Sequence, residues 1–232
     1  MGPTRRFKRW LLPADTWERH YFVARFVAGA KTVLDVGGIA GQLGSFMPEA
    51  EVTTLNVGDE RADAHFDGLR IPYPDNAFDV AVSLDVLEHV PRENRALHVG
   101  ELARVAAKRI VLCCPLGTPE HVDAERELAG WYRETTGEPH RFLEEHIERG
   151  LPTESEIEAL ASAAGLEATL SFHGDFRRAN HLFRLSTRLR QRPTPASLVA
   201  YARARLDPRR DRRLDSRSGP WSNRVFLVAE TG

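Results

Sequence analysis

An α/β fold around a largely parallel sheet is predicted for this 232-residue chain by two observations. Short apolar, β-branched runs alternate with segments of helical period. Residues 33–41, Val-Leu-Asp-Val-Gly-Gly-Ile-Ala-Gly, also run a buried strand straight into a glycine-bent turn. Such a turn lets a nucleotide approach bare backbone, because Gly37, Gly38 and Gly41 can take positive φ or leave room where a Cβ would clash. Asp35 sits at the carboxyl end of that strand, placed to accept hydrogen bonds from the turn or from an ammonium group.

Taken in order, Pro13 to Glu18 opens a helix with Asp15 and Glu18 at capping-box spacing, and His20, Tyr21, Val23, Ala24 and Val27 continue it. The strand at 33–36 follows, then a first crossover helix, then a second strand, Glu51 to Asn56. Val80 to Ser83 is a further buried strand. Pro91, suited to a first helical turn, starts a helix through Ala106 with Leu97, Leu102 and Val105 on its apolar side. Ile110 to Pro115 reads as a strand, and its adjacent Cys113 and Cys114 point to opposite faces, where they are poorly placed to bridge. They are read as small buried hydrophobes. Thr153 and Glu156 repeat the capping-box spacing ahead of Ile157, Leu160, Ala161 and Ala164, and that helix ends near Gly165. Leu166 to Phe172 and Asn223 to Ala229 are the last strands.

Composition agrees with a folded α/β domain. A hydrophobic content of 42% suffices for a core, and 28% charged residues with a net charge of −1 argue against a wholly disordered chain. No apolar run approaches the roughly 20 residues a membrane span needs. Residues 1–10 lack the apolar region of a signal peptide, so the expected location is the cytoplasm. One domain over 1–232 is expected, with insertions at about 116–152 and about 177–217.

The dinucleotide fingerprint Gly-x-Gly-x-x-Gly is not met, since residues 37, 39 and 42 are Gly, Ile and Gln. Residues 33–41 instead resemble the first motif of class I S-adenosylmethionine-dependent methyltransferases, an acidic residue before Gly-x-Gly-x-Gly. Asp35, Gly37 and Gly41 match, and Ile39 stands where the family has glycine, so its side chain must point away from the methionine end of the cofactor. Asn56 ends the second strand where the family usually has an acidic residue gripping both ribose hydroxyls; Asp59 and Glu60 follow it. Asp67 to Asp79 is similar to the family's segment before the fourth strand. Leu84 to Pro91 is similar to the Leu-Glu-His-Val-Pro that borders the transfer site in many small-molecule methyltransferases of the type 11 group.

This resemblance covers residues 17 to 115. It implies a Rossmann-like, seven-stranded, mostly parallel sheet with helices on both faces and a last antiparallel strand beside strand six. S-adenosyl-L-methionine is the implied cofactor, with contacts from Asp35, Gly37, Gly38, Gly41, Asn56, Asp67, Gly68, Leu69, Ser83 and Tyr21. Asp67 is the candidate partner of the adenine amino group.

Substrate choice is expected in the two insertions. The first leaves the carboxyl edge of the sheet, where open α/β folds bind ligands. It carries His121, Trp131, Tyr132, His140, Glu145 and His146 on two helices joined by Thr136 to Pro139, with the aromatics either facing an acceptor or gluing the lid to the core. The second holds 13 arginines against Asp207, Asp211 and Asp215. It would steer an anionic acceptor such as a phosphate-bearing or lipid-linked sugar, contact an acidic membrane surface peripherally, or be a solvated helical face. Arg203, Arg205, Arg209 and Arg210 have no interleaved aromatic beyond Tyr201, so the segment is a poor nucleic-acid platform.

Methyl transfer needs an in-line acceptor, exclusion of water and a group to take the acceptor's proton. His89 and His146 are the candidate catalytic residues, with His121 and His140 behind them. Asp85, Glu88 and His89 fall at helical i, i+3 and i+4 spacing, which resembles the divalent-cation site of some quinone O-methyltransferases. Leu-Glu-His also occurs in many metal-free relatives, and no metal is expected. The resulting reading is methyl transfer to the oxygen, in preference to nitrogen, of a small molecule such as a sugar or other cell-envelope precursor. The rival reading, suggested by Ile39 and Asn56, is a cofactor-binding but non-catalytic scaffold or regulator.

Overall fold

A computed structural model describes residues 12–205 and 213–232. The readings made on residues 1–10 and on Asp207, Arg209, Arg210 and Asp211 lie outside them. Helix α1 (Ala14–Phe26) leads into β1 (Thr32–Val36), followed by β2 (Glu51–Asn56), the short β3 (Ala64–His65) and β4 (Phe78–Leu84). Helix α2 (Arg95–Val105) and β5 (Ala106–Pro115) come next, then α3 (Pro119–Thr136), α4 (Arg141–Arg149) and α5 (Glu154–Ala163). Strand β6 (Ala168–Asp175), helices α6 (Phe176–Gln191) and α7 (Pro195–Arg205) and β7 (Ser222–Glu230) complete the chain.

The seven strands form one sheet in the order β3-β2-β1-β4-β5-β7-β6. All neighbours are parallel except β7, which runs antiparallel between β5 and β6. Alternation along the strands makes two apolar layers. Leu34, Ile110 and Leu112 pack with Val99, Leu102 and Val105 of α2 and Ile157 of α5. Val33, Val82 and Val111 pack with Phe22 and Val23 of α1. Each such fully buried Val, Leu or Ile contributes about 1.5–3 kcal/mol. Cys114 belongs to the first layer and Cys113 to the second, and both are free thiols. Burial pushes the Cys113 thiol up to about 12.

Local details differ from expectation where tertiary partners intervene. The crossover after β1 holds only a 3-10 turn, Leu43–Phe46, because Gly37, Gly38, Gly41, Gly44 and Pro48 make a helix nucleus too costly. Asp15 does not cap α1, since its carboxylate is drawn to Arg19 at 3.4 Å and Arg224 at 3.7 Å. Helix α2 starts at Arg95 after a 3-10 turn at Arg92–Asn94, and Val99, not the exposed Leu97, joins Leu102 and Val105 in the core. The cap at Thr153 forms as expected, its hydroxyl accepting from the Glu156 amide at 3.2 Å. Among the described residues no helix is long and apolar enough to cross a membrane.

Candidate functional site

Strands β1 and β4 end side by side, with Val36 opposite Ser83, and the two segments leaving them meet at the carboxyl edge of the sheet. Gly37 has φ +80°, and a Cβ there would come 2.3 Å from Cγ2 of Val86, just beyond β4. A Cβ on Gly38 would fall 2.0 Å from the Asp35 carboxylate. The turn therefore lies flat against its neighbours, as a backbone cradle must. Ile39 turns outward and is 38% exposed.

Asp35 is 1% exposed, and neither carboxylate oxygen has a hydrogen-bond partner. Burial raises it to about 7, against the pull of Arg19. A buried acceptor without a donor is costly, and a cationic ligand group or a rearranged turn amide would remove that cost.

Asn56 is placed otherwise than the resemblance implied. Its Nδ2 donates to the carbonyls of Gly37 and Gly38 at 3.0 and 2.9 Å, and its Oδ1 accepts from the amides of Gly58 and Asp59 at 3.0 and 3.3 Å. The side chain is an internal tie between the turn and β2, with its amide hydrogens already committed. Asp59 is bound by Arg61 at 2.8 Å. Asp67 folds over Gly68 to accept from the amides of Leu69 and Arg70 at 2.8 and 3.0 Å, leaving Leu69 exposed on the rim.

Two residues expected at the cofactor are engaged by other side chains. Ser83 is fully buried, and its hydroxyl meets Nε2 of His98 on α2 at 2.9 Å, inside the core; burial brings that imidazole down to about 4. The Tyr21 ring stacks on Trp17 at 5.0 Å and its hydroxyl accepts from Arg25 on the exposed side of α1. From the same helix it is Arg19 that reaches the site, 2.7 Å from Asp85.

Asp85, with φ +53° just past β4, is held between Arg19 and Arg224 of β7. Burial would raise its pKa, but the two guanidinium groups prevail and hold it below the usual carboxylate range. It is thereby withdrawn from the cation-binding triad its spacing suggested. The 3-10 turn Leu87–His89 sends Glu88 inward, where it is 1% exposed with Oε2 unpartnered, pushed up to about 8 by burial and by the charge of Asp85.

His89 and His146 do come together, their Nε2 atoms 3.4 Å apart. Each Nδ1 has a carboxylate partner: Glu145 Oε2 at 2.9 Å for His89, and Glu125 Oε1 at 3.0 Å for His146. Arg149 donates to the His89 carbonyl. Burial and the neighbouring His146 lower the His89 pKa; for His146 burial works downward, but the bond and charge of Glu125 raise it overall. Glu125 was not singled out by the sequence; its place at i+4 from His121 on a lid helix was the available signal. The buried Arg95 was also missed, and it clamps α2 to α5 through Glu156 at 2.7 Å and to the end of the lid through the Gly150 carbonyl at 2.6 Å.

The other two lid histidines are held by local contacts. His121 is buried, stacked on Phe176 at 4.5 Å, with Nδ1 against the Leu116 carbonyl. His140 caps α4 by accepting from the Leu143 amide at 3.4 Å. Trp131 and Tyr132 are glue: Arg184 and Arg188 of α6 lie 4.7 and 5.6 Å from the Trp131 ring, and Tyr132 packs on Phe183.

Fold, glycine cradle and edge site together define a class I methyltransferase architecture. Residues 48–114 match the family model described as Methyltransferase domain. Among solved structures, YcgJ from Bacillus subtilis is 16% identical, covers 91% of this chain and 97% of its own, and gives a TM-score of 0.54. Phosphoethanolamine N-methyltransferase 2 from Haemonchus contortus, in complex with S-adenosyl-L-methionine, is 14% identical over 92% of this chain and 52% of its own, with a TM-score of 0.56. Geranyl diphosphate C-methyltransferase from Streptomyces coelicolor, in complex with Mg2+, geranyl diphosphate and S-adenosyl-L-homocysteine, is 13% identical over 92% of this chain and 77% of its own, at 0.54. These are likenesses of fold. No curated protein sequence matches the chain. S-adenosylmethionine, the cofactor the resemblance implies, fits the residues present at the turn, where Gly37 and Gly38 exclude any Cβ and the Asp35 carboxylate lacks a donor.

Proposed function

We propose that this protein is a single-domain cytoplasmic enzyme that transfers a methyl group from S-adenosylmethionine to an oxygen, in preference to a nitrogen, of a small polar acceptor. The observation that carries this reading is the convergence of His89, His146 and Glu88 at the mouth of β4, in a segment that touches the glycine turn through Val86. The cofactor supplies an activated methyl group. What this chain must add is position, dryness and a place for the acceptor's proton. The turn at Gly37 and Gly38 and the Asp35 carboxylate would hold the cofactor, while α4 packs on the turn Leu87–His89 at the edge. One imidazole of the His89–His146 pair, oriented by Glu145 and Glu125, takes up the acceptor's proton when no cation occupies the pair.

Arg184 and Arg188, laid against the back of the lid on Trp131, favour an anionic acceptor such as a sugar phosphate or another cell-envelope precursor. The same basic helices would suit peripheral contact with an acidic membrane surface, and the aromatic-poor segment offers no nucleic-acid platform. Two free, buried cysteines suit a reducing compartment. The Asn56 amide, committed to the turn, favours a second reading, a cofactor-binding scaffold without turnover. Incubating the protein with methyl-labelled cofactor and a metabolite extract, then following label by mass spectrometry, separates the two. A labelled small molecule absent from a control lacking protein supports the enzyme, and cofactor binding without label in any extract supports the scaffold.

A further inference from the structure

We propose that Glu88, His89 and His146 form a binding site for one divalent transition-metal ion, which holds the acceptor's oxygen beside the glycine turn. Each of the three residues offers one ligand atom, and these atoms all lie within 4.8 Å of one another.

The hydrogen bonds around the two imidazoles make the case. A carboxylate accepts, so Glu145 on Nδ1 of His89 and Glu125 on Nδ1 of His146 place a proton on both Nδ1 atoms. With both imidazoles neutral, each Nε2 is then a bare lone pair, and the two face each other at 3.4 Å, a distance that calls for a proton or a cation between them. A cation between them turns that repulsion into coordination. The separation suits it: two ligands on a tetrahedral ion with bonds of about 2.0–2.1 Å stand roughly 3.3–3.4 Å apart. A carboxylate on the far ring nitrogen is also the usual partner of a metal-bound histidine, fixing both tautomer and ring plane. Glu145 is fixed in turn by Arg141 at 2.9 Å.

Glu88 is the independent observation. It is almost fully buried, and its Oε2 finds no donor in the protein. Imidazole and carboxylate donors in a two-to-one ratio favour zinc, iron, cobalt or nickel over magnesium or calcium. Three protein ligands leave a position open, as catalytic metal sites do. Asp85 takes no part, since Arg19 and Arg224 hold it. The third ligand comes instead from the lid, so an ion here would also pin α4 over the edge of the sheet.

The role in acceptor binding rests on the proposed methyl transfer; the binding of the ion does not. The test uses the whole chain, stripped with chelator and dialysed, titrated with Zn2+ by calorimetry and with Co2+ by visible absorption. S-adenosylhomocysteine binding and far-ultraviolet circular dichroism are measured on the same samples. The expected result is one ion per chain, with Co2+ bands in the visible. Zn2+ affinity should fall at least tenfold in His146→Ala and in Glu88→Gln, and about 10–100-fold in Glu125→Gln, which touches no ion. Magnesium in excess should not compete. If His146→Ala does not fold, Glu88→Gln and Glu125→Gln carry the test. No stoichiometric uptake by the parent, or unchanged affinity in the folded variants, overturns the proposal. In that case retained S-adenosylhomocysteine binding leaves the methyltransferase reading standing with the histidines as proton acceptors. Ion uptake without any S-adenosylhomocysteine binding would do the reverse.

Discussion

The side-chain amide of Asn56 ties down the carbonyl of Gly37 at 3.0 Å, and with it the whole glycine turn to the end of β2. A carboxylate at this position would set oxygens against the Gly37 and Gly38 carbonyls in place of two N–H donors. Asn56→Asp should therefore destabilise the fold by about 1–3 kcal/mol, the scale for leaving buried groups unpaired, and should not tighten S-adenosylhomocysteine binding. Urea unfolding and calorimetry on the variant check this; tighter binding at unchanged stability would return Asn56 to a ribose role.

Gly37 and Val86 are coupled by contact. Gly37→Ala introduces a Cβ 2.3 Å from Val86 Cγ2 at a φ of +80°, so S-adenosylhomocysteine affinity should drop at least tenfold, about 1.4 kcal/mol. In a Val86→Ala background the same change should hurt less, because the clash is gone and only the backbone strain remains. Additive losses in the double-mutant cycle would show that the turn does not lean on Val86.

Asp35 should make both stability and cofactor binding depend on pH. Its pKa in the fold is about 7 against an ordinary 3.8. Between those values the folded protein holds a proton that the unfolded chain has released, so stability falls as pH rises through the window and levels off above it. The full loss is on the order of 4 kcal/mol. Asp35→Asn should leave stability at about pH 4 little changed and raise it at about pH 8, by denaturant unfolding. A ligand ammonium prefers the carboxylate, so S-adenosylhomocysteine affinity should climb from about pH 6 to pH 8 in the parent and stay flat in the variant. A flat profile in the parent removes Asp35 from the cofactor contact.

Arg224 and Asp85 form a largely buried ion pair at the mouth of β4. Arg224→Met should cost about 3–5 kcal/mol, the usual result of stripping one partner from such a pair, while the Asp85→Asn, Arg224→Met double variant should cost less than the sum of the singles. Asp85 is held below its ordinary range, so its contribution is present above the unfolded value and is lost as pH falls through the folded one. Chemical denaturation of the three variants at neutral pH measures the coupling.

Much of the fold was legible because its signals are local. The apolar runs of β1, β4 and β5, the glycine turn and the Thr153 cap each depend on residues close in the chain. The α2 face was misjudged at Leu97 because helical period alone does not say which of two overlapping stripes meets the sheet; Val99 does. Arg19, not named by the motif, is the α1 residue that reaches Asp85, since neighbouring helix positions differ by about 100° and only the packed helix shows which faces inward.

The candidate site divides along the same line. Residue type and spacing alone marked Asp35, the glycines, His89 and His146, because a backbone cradle needs missing Cβ atoms and proton transfer needs imidazole. Tertiary structure alone decided their partners: Arg224 lies 139 residues from Asp85, Glu145 lies 56 from His89, and Glu125 lies 21 from His146. Charges and hydrogen-bond donors act through space over a few ångströms. Which carboxylate is neutralised by arginine, which orients an imidazole and which is left bare follows from how the lid and β7 close on the carboxyl edge of the sheet, and no local pattern in the chain encodes that.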